Sequence, residues 1–193
     1  MQPYPKTDLD ALFTRDYEQH LDALYNFAFH LTHSEADADD LVQDTFVRAY
    51  RSYESFEQGT NLKAWLFRIL KNLFINEFHK KNRHGGEAVN FDDVQVFHEN
   101  EELAGDAPKG FLDLREDMFD NLMGDEVTMA LQSLHPDAQA IIMLDLEGFS
   151  YEEMAEITGV PVGTVRSRLF RARNLLKSKL FDYATSQGFK NKR

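Results

Sequence analysis

Apolar residues recur at spacings of three and four along two stretches of this chain, and between the stretches the rhythm stops. Leu9, Leu12, Phe13, Tyr17, Leu21, Leu24, Tyr25, Ala28 and Leu31 keep the helical period. The segment SEADADDLVQDTFVRAYRSY continues it with Ala38, Leu41, Val42, Thr45, Phe46, Ala49, Tyr50 and Tyr53, and carries Asp37, Asp40, Asp44, Arg48 and Arg51 on the other face. Ser34 is placed to cap this helix, whose first-turn acids suit the helix dipole. SFEQGTN reads as a loop around Gly59, and a long helix follows from Leu62 to about Lys81. Residues 84–124 lose the period and gather glycine, proline and acid, the composition of an inter-domain linker, with a short helix near 111–123. Periodicity resumes at Asp125. DEVTMALQSL predicts one helix, His135-Pro136 interrupts it, and DAQAIIMLDLEG predicts a second that stops at Gly148. Ser150 with Glu153 is a capping-box pattern, and Gly159 with Pro161 marks the next turn. No strand pattern competes. The expected fold is all-α: two small, separate helical domains at 1–83 and 125–183, a long acidic linker at 84–124 and a basic tail at 184–193.

Composition agrees with folded domains and narrows the class. Of 193 residues, 42% are hydrophobic and 12% aromatic, enough for cores. There is no cysteine, which excludes disulfides and cysteine-ligated zinc and suits a reducing compartment. The N-terminus lacks the pattern of a signal peptide, and no apolar run approaches the ~18 residues of a membrane span, so a cytoplasmic protein with no membrane insertion is expected. The formal net charge is −12, distributed as −8 over residues 1–60, +5 over 61–84, −11 over 85–126, −6 over 127–160 and +8 over 161–193. An acidic protein can still bind a polyanion through locally basic surfaces, because charges are screened beyond about 8–10 Å at ordinary salt. Two solvated helix faces would give the same numbers, and charge alone does not separate the two.

The basic run VPVGTVRSRLFRAR places Arg166, Arg168, Arg171 and Arg173 on one predicted helix. Helix, glycine-containing turn and second helix form the helix-turn-helix arrangement, whose second helix can enter a major groove. At about 100° per residue, Val162, Val165, Leu169, Ala172 and Leu176 share the core side. Opposite them lie Gly163, Thr164, Ser167, Phe170, Arg171 and Asn174, with Arg166, Arg168 and Arg173 flanking. Arginine suits guanine, hydroxyls suit either partner and an apolar group suits the thymine methyl. The flanking arginines are placed to meet phosphates, which position without specifying. The competing reading packs Phe170 on a neighbouring domain and leaves the arginines solvated.

The helix from Leu62 is apolar around most of its circumference, so its polar row stands out. Asn61, Trp65, Arg68, Asn72, Asn76 and His79 form a single stripe. Such a row can stack an unpaired base and bond its edge, with Lys63, Lys71, Lys80, Lys81 and Arg83 to neutralise backbone charge. Equally, Trp65 can be core and the two asparagines can be satisfied between helices.

DADDLVQDTFVRAYRSYESF, LKAWLFRILKNLFIN and LEGFSYEEMAEITGVPVGTVRSRLFRAR together resemble regions 2 and 4 of the extracytoplasmic-function (ECF) sigma factors, a branch of the sigma-70 family of bacterial transcription initiation factors. The resemblance covers roughly residues 8–83 and 125–181, in the family's order. It implies a protein that binds core RNA polymerase, through the β′ clamp helices and the β flap, and directs it to promoters. Asp39, Asp40, Leu41, Gln43, Asp44 and Phe46 would dock on the clamp helices. The loop from Phe56, with Asn61, Trp65, Arg68, Asn72 and Asn76, would open the −10 element and capture a flipped base. Pro161, Thr164, Arg166, Ser167, Phe170 and Arg171 would read the −35 element. The linker would thread toward the polymerase cleft, its acids standing in for RNA. An anti-sigma factor is the further partner that the resemblance implies.

Two other classes compete with this reading. A helix-turn-helix repressor or activator with a helical sensor or dimerisation domain explains residues 150–173 but leaves the tryptophan row and the Asp-rich helix idle. An enzyme using Asp37, Asp40 and Asp44 as metal ligands lacks a convergent histidine, since His79, His84 and His98 fall elsewhere. No glycine-rich phosphate loop or nucleophile elbow is present. No catalytic residue, metal or cofactor is therefore expected.

Overall fold

A computed structural model describes residues 6–57, 59–82 and 125–186 of the chain. Among them every regular element is helical: α1 Lys6–Glu18, α2 Leu21–Thr32, α3 Glu35–Ser52, a 3-10 turn Tyr53–Ser55, α4 Leu62–Asn82, α5 Asp125–Gln132, α6 Pro136–Leu146, α7 Tyr151–Thr158 and α8 Val162–Ser186. The all-α, two-domain architecture is that expected. The linker, its short helix and the tail beyond Ser186 lie outside the described residues; α8 itself continues past the expected boundary at 183.

Local chemistry explains most of the ends. Ser34 Oγ accepts from the Asp37 amide at 3.3 Å and starts α3. Pro136 opens α6, where its missing N–H is harmless, and His135 Nδ1 accepts from the Asp137 amide. The Ser150–Glu153 capping box is complete: Ser150 Oγ accepts from the Glu153 amide at 3.2 Å and Glu153 Oε2 from the Ser150 amide at 2.8 Å. Gly159 ends α7 at φ +74°, where a side chain would be strained. The single periodic run from Leu9 to Leu31 departs from expectation by splitting between α1 and α2. No glycine or proline breaks it. Instead Phe13 and Tyr17 are drawn onto α3, where Phe13 packs on Phe46, Tyr50 and Tyr53 with ring centroids 4.9–5.6 Å apart. Tyr17 donates to the Val42 carbonyl at 3.0 Å and Tyr53 to Asp16 at 3.0 Å, so tertiary bonds set the bend.

In the N-terminal domain α2 packs on α3 and α3 on α4; in the C-terminal domain α8 packs on α5, α6 and α7. The sequence left open whether the two pack together, and here they do. α4 packs against α7 and α6, α2 also touches α6, and one hydrophobic cluster runs through both halves. The cause is the all-round apolar character of α4. Leu66, Phe67 and Leu70 are buried, and the Phe67 ring meets Phe149 of the other domain at 4.9 Å.

Candidate nucleic-acid interface

α8 presents its two faces as the wheel predicts. Val165, Leu169, Ala172 and Leu176 are buried and Val162 half-buried. On the outside Pro161, Gly163, Arg166, Ser167 and Arg171 are exposed, Thr164 and Asn174 half-buried, and Phe170 keeps 37% of its surface in solvent. Phe170 is therefore covered only in part. The Ser167 hydroxyl donates to the Thr164 carbonyl at 3.0 Å, and Arg171 Nε donates to the Ser167 carbonyl at 3.3 Å, so the row is ordered along the helix. The Arg166 guanidinium lies 5.5 Å from the centre of the Tyr151 ring, which holds it beside the row.

Arg173 corrects the sequence reading. It was grouped with the phosphate-facing flank, yet it turns inward and pairs with Asp145 of α6, whose side chain is almost wholly buried. A buried carboxylate requires a partner, and that need decides the direction of Arg173.

Along α4, Arg68, Asn72 and Asn76 are exposed and Trp65 and His79 half-buried. Trp65 leans on Phe56 at 5.0 Å, a posture between core and open face. Asn61 is exposed and bonded at both ends of its amide. Its Oδ1 caps α4 by accepting from the Ala64 amide at 3.0 Å, while its Nδ2 donates to Glu153 Oε1 of the other domain at 2.6 Å. Gly59, at φ +92°, turns the loop before it. Of the supporting lysines, Lys71 is half-buried, and burial pulls it below the ordinary lysine value. The charges of Arg68 and Arg168 pull the same way, against Asp137.

On α3 Asp39, Asp40, Gln43 and Asp44 are exposed and Phe46 is 36% exposed. Leu41 is the exception. It stands in the core, on the buried side with Ala38, Val42 and Thr45, beneath this face and not on it. Val47 and Tyr50, each 41% exposed, extend the apolar strip of Phe46. Val47 was missed because it falls outside the helical stripe of the core; an apolar residue off-phase on an otherwise charged face was the available signal. A groove between α2 and α3, lined by Leu21, Tyr25, Asn26, Asp39 and Gln43, adjoins this face. Among the described residues no set of three His, Asp or Glu side chains could hold a metal, and no helix is long and apolar enough to cross a membrane.

The Sigma-70 region 2 family matches residues 16–84, and the Sigma-70 region 4 family matches 124–176. The ECF sigma factor SigE of Mycolicibacterium smegmatis is 35% identical over 170 residues, 86% of this chain and 61% of that protein, so the chain spans under two thirds of SigE. The ECF sigma factor EcfG of Rhodopseudomonas palustris is 38% identical over 160 residues, 82% of this chain and 80% of EcfG. Among solved structures, the sigma factor RpoE of Bartonella quintana, in complex with the anti-sigma factor NepR, aligns with TM-score 0.61 at 38% identity. The alignment covers 87% of this chain and 96% of RpoE. CnrH, solved with the cytosolic domain of CnrY, shares the fold at TM-score 0.58 and 24% identity, over 90% of each chain. With both sigma regions present in order on two helical domains, the chain belongs to the ECF sigma factors of the sigma-70 family.

Proposed function

We propose that the chain is a transcription initiation factor that binds core RNA polymerase and directs it to promoters by reading −35 and −10 elements. The observation that carries this reading is the outward row of α8, where Ser167, Phe170 and Arg171 stay exposed while the opposite side is buried. In this reading Pro161, Thr164, Arg166, Ser167, Phe170 and Arg171 enter the major groove. Asn61, Trp65, Arg68, Asn72 and Asn76 take the separated strand, stacking and edge-bonding its bases. Asp39, Asp40, Gln43, Asp44 and Phe46 form the polymerase contact, with Val47 and Tyr50 beside them. The protein works without catalysis of its own, in the cytoplasm where polymerase is, and a dedicated anti-sigma factor controls it, as RpoE is bound by NepR in its solved complex.

The test is transcription in vitro. Core polymerase, a pool of random-sequence templates and this chain should yield transcripts whose templates share two sequence elements; core polymerase alone should not. Tight duplex binding by the chain alone, with no polymerase-dependent transcript, would instead mark a repressor or activator.

A further inference from the structure

Tyr151 opens α7 directly after the cap residue Ser150, and the complete capping box fixes its place: Ser150 Oγ accepts from the Glu153 amide at 3.2 Å and Glu153 Oε2 from the Ser150 amide at 2.8 Å. The Tyr151 ring is half-buried against the hydrophobic cluster, which limits its movement. Across the turn, the exposed Arg166 of α8 holds its guanidinium 5.5 Å from the ring centre, within the ~6 Å reach of a cation–π contact. We propose that Tyr151 is a positioning residue: its ring sets the Arg166 guanidinium beside the base-reading row for a DNA phosphate, so that Arg166 clamps the backbone and takes no part in choosing bases.

Direction, chemistry and charge carry the inference, which rests on the assignment of α8 to duplex DNA given above. Arg166 stands about 100° around α8 from Ser167 and about 140° from Arg171, on the side that meets α7. In a docked helix-turn-helix the second helix reads bases while the first crosses the backbone. A guanidinium held over the first residue of α7 therefore lies where that helix meets phosphates. The kind of partner matters as much as its place. A carboxylate would cancel the charge of Arg166 and occupy its N–H donors. A ring face does neither, and leaves the planar fork of donors for the oxygens of a phosphate. The neighbouring arginines are held differently: Arg173 pairs with Asp145, and Arg171 donates from Nε to the Ser167 carbonyl within the outward row. Tyr151 is followed by Glu152, Glu153 and Glu156, acids that repel a phosphate from this end of α7, and a fixed cation offsets them. Holding the arginine before DNA arrives also removes part of the entropy lost in ordering a long side chain on binding.

The test uses the full chain and a duplex that it selects from a random-sequence pool at low salt, where phosphate contacts bind most strongly. Tyr151→Leu and Tyr151→Met remove the ring and keep apolar bulk, while Tyr151→Phe keeps the ring and removes the hydroxyl. Each is made alone and together with Arg166→Ala, and circular dichroism reports whether each variant folds. Alone, Tyr151→Leu and Tyr151→Met should weaken duplex binding about two- to fivefold, the effect of one exposed cation–π contact, and Tyr151→Phe should bind as the wild type does. With Arg166→Ala in place, none of the three should change the affinity further. Affinities for single-base variants of the selected duplex should all fall by one common factor in Arg166→Ala, as a phosphate contact requires. An equal loss from Tyr151→Leu with and without Arg166 overturns the inference, because the ring then only supports α7. A loss in Tyr151→Phe equal to that in Tyr151→Leu overturns it by assigning the effect to the hydroxyl, and an altered base preference in Arg166→Ala overturns it by making Arg166 a base reader. A chain that selects no duplex fails the reading of α8 itself, a result distinct from all of these.

Discussion

Arg173 and Arg166 sit on one helix, and a wheel puts both at the edge of its outward side. Their partners separate them: Asp145 claims Arg173, while Arg166 lies over Tyr151 at the surface. Arg173→Ala should remove the Arg173 side of the pair from buried Asp145 and lower stability by about 1–3 kcal/mol, below the usual cost of breaking a buried pair because Arg173 is itself partly exposed. It should leave the salt dependence of duplex binding unchanged. Arg166→Ala should do the reverse, flattening the salt slope by about 1 and moving stability by no more than about 0.5 kcal/mol. Urea unfolding and a salt titration of duplex binding measure both; a flattened slope in Arg173→Ala would return that residue to the DNA face. The outward row was legible from spacing alone because burial on a single helix follows its period. The Asp145–Arg173 pair was not, since it joins residues on different helices and no local pattern announces it. Leu41 was misplaced for a related reason: a motif names a stretch, while the period within it decides which side chains reach the surface.

Helix ends were the most legible elements, because their causes lie within four residues. Ser34, the Ser150–Glu153 box, Gly148 and Gly159 all stand where they were expected. The break between α1 and α2 was not readable, because aromatic rings from α3 impose it. Between α2 and α3 the chain turns through His33, a left-handed residue at φ 52° whose amide bonds to the Phe29 carbonyl at 2.7 Å. Burial lowers His33 below its ordinary value of 6.5, with His30 adding to the shift, and burial lowers His30 too. The folded state thus binds fewer protons than the unfolded chain near these values. Stability from this turn is complete above pH 6.5 and is lost as the pH falls from there through the lower folded values. His33→Asn keeps a residue suited to the left-handed position and removes one titrating group. Its urea midpoint should fall less between pH 7.5 and 5 than that of the wild type. Some loss should persist, since His30 remains and His20 is shifted the same way. Parallel pH profiles would refute this account of the turn.

At the scale of the molecule, two periodic blocks and the gap between them revealed two domains, but not that the domains touch. The seam joins Asn61, Lys63 and Phe67 to Glu153, Glu147 and Phe149, residues far apart in the chain. The one hint was a helix too apolar all round to serve a single bundle. A shared seam has a thermodynamic consequence. The C-terminal domain is small, and a domain of about 60 residues buries too little surface to be more than marginally stable alone. Its contacts with α4 should raise its melting toward that of its neighbour, so that the two unfold together. The single tryptophan, Trp65, belongs to the N-terminal domain and packs on Phe56, so its fluorescence reports chiefly on that domain, whereas helical dichroism follows both. In the wild type the two signals should melt at one temperature. With Glu147→Gln and Glu153→Gln, part of the helical signal should be lost several degrees before the tryptophan signal moves, because a loss of about 1 kcal/mol shifts a domain this small by roughly 4–8 °C. Coincident transitions in both proteins would mean that Glu147 and Glu153 add nothing measurable to the coupling of the domains, and separate transitions in the wild type would mean that the domains already unfold independently.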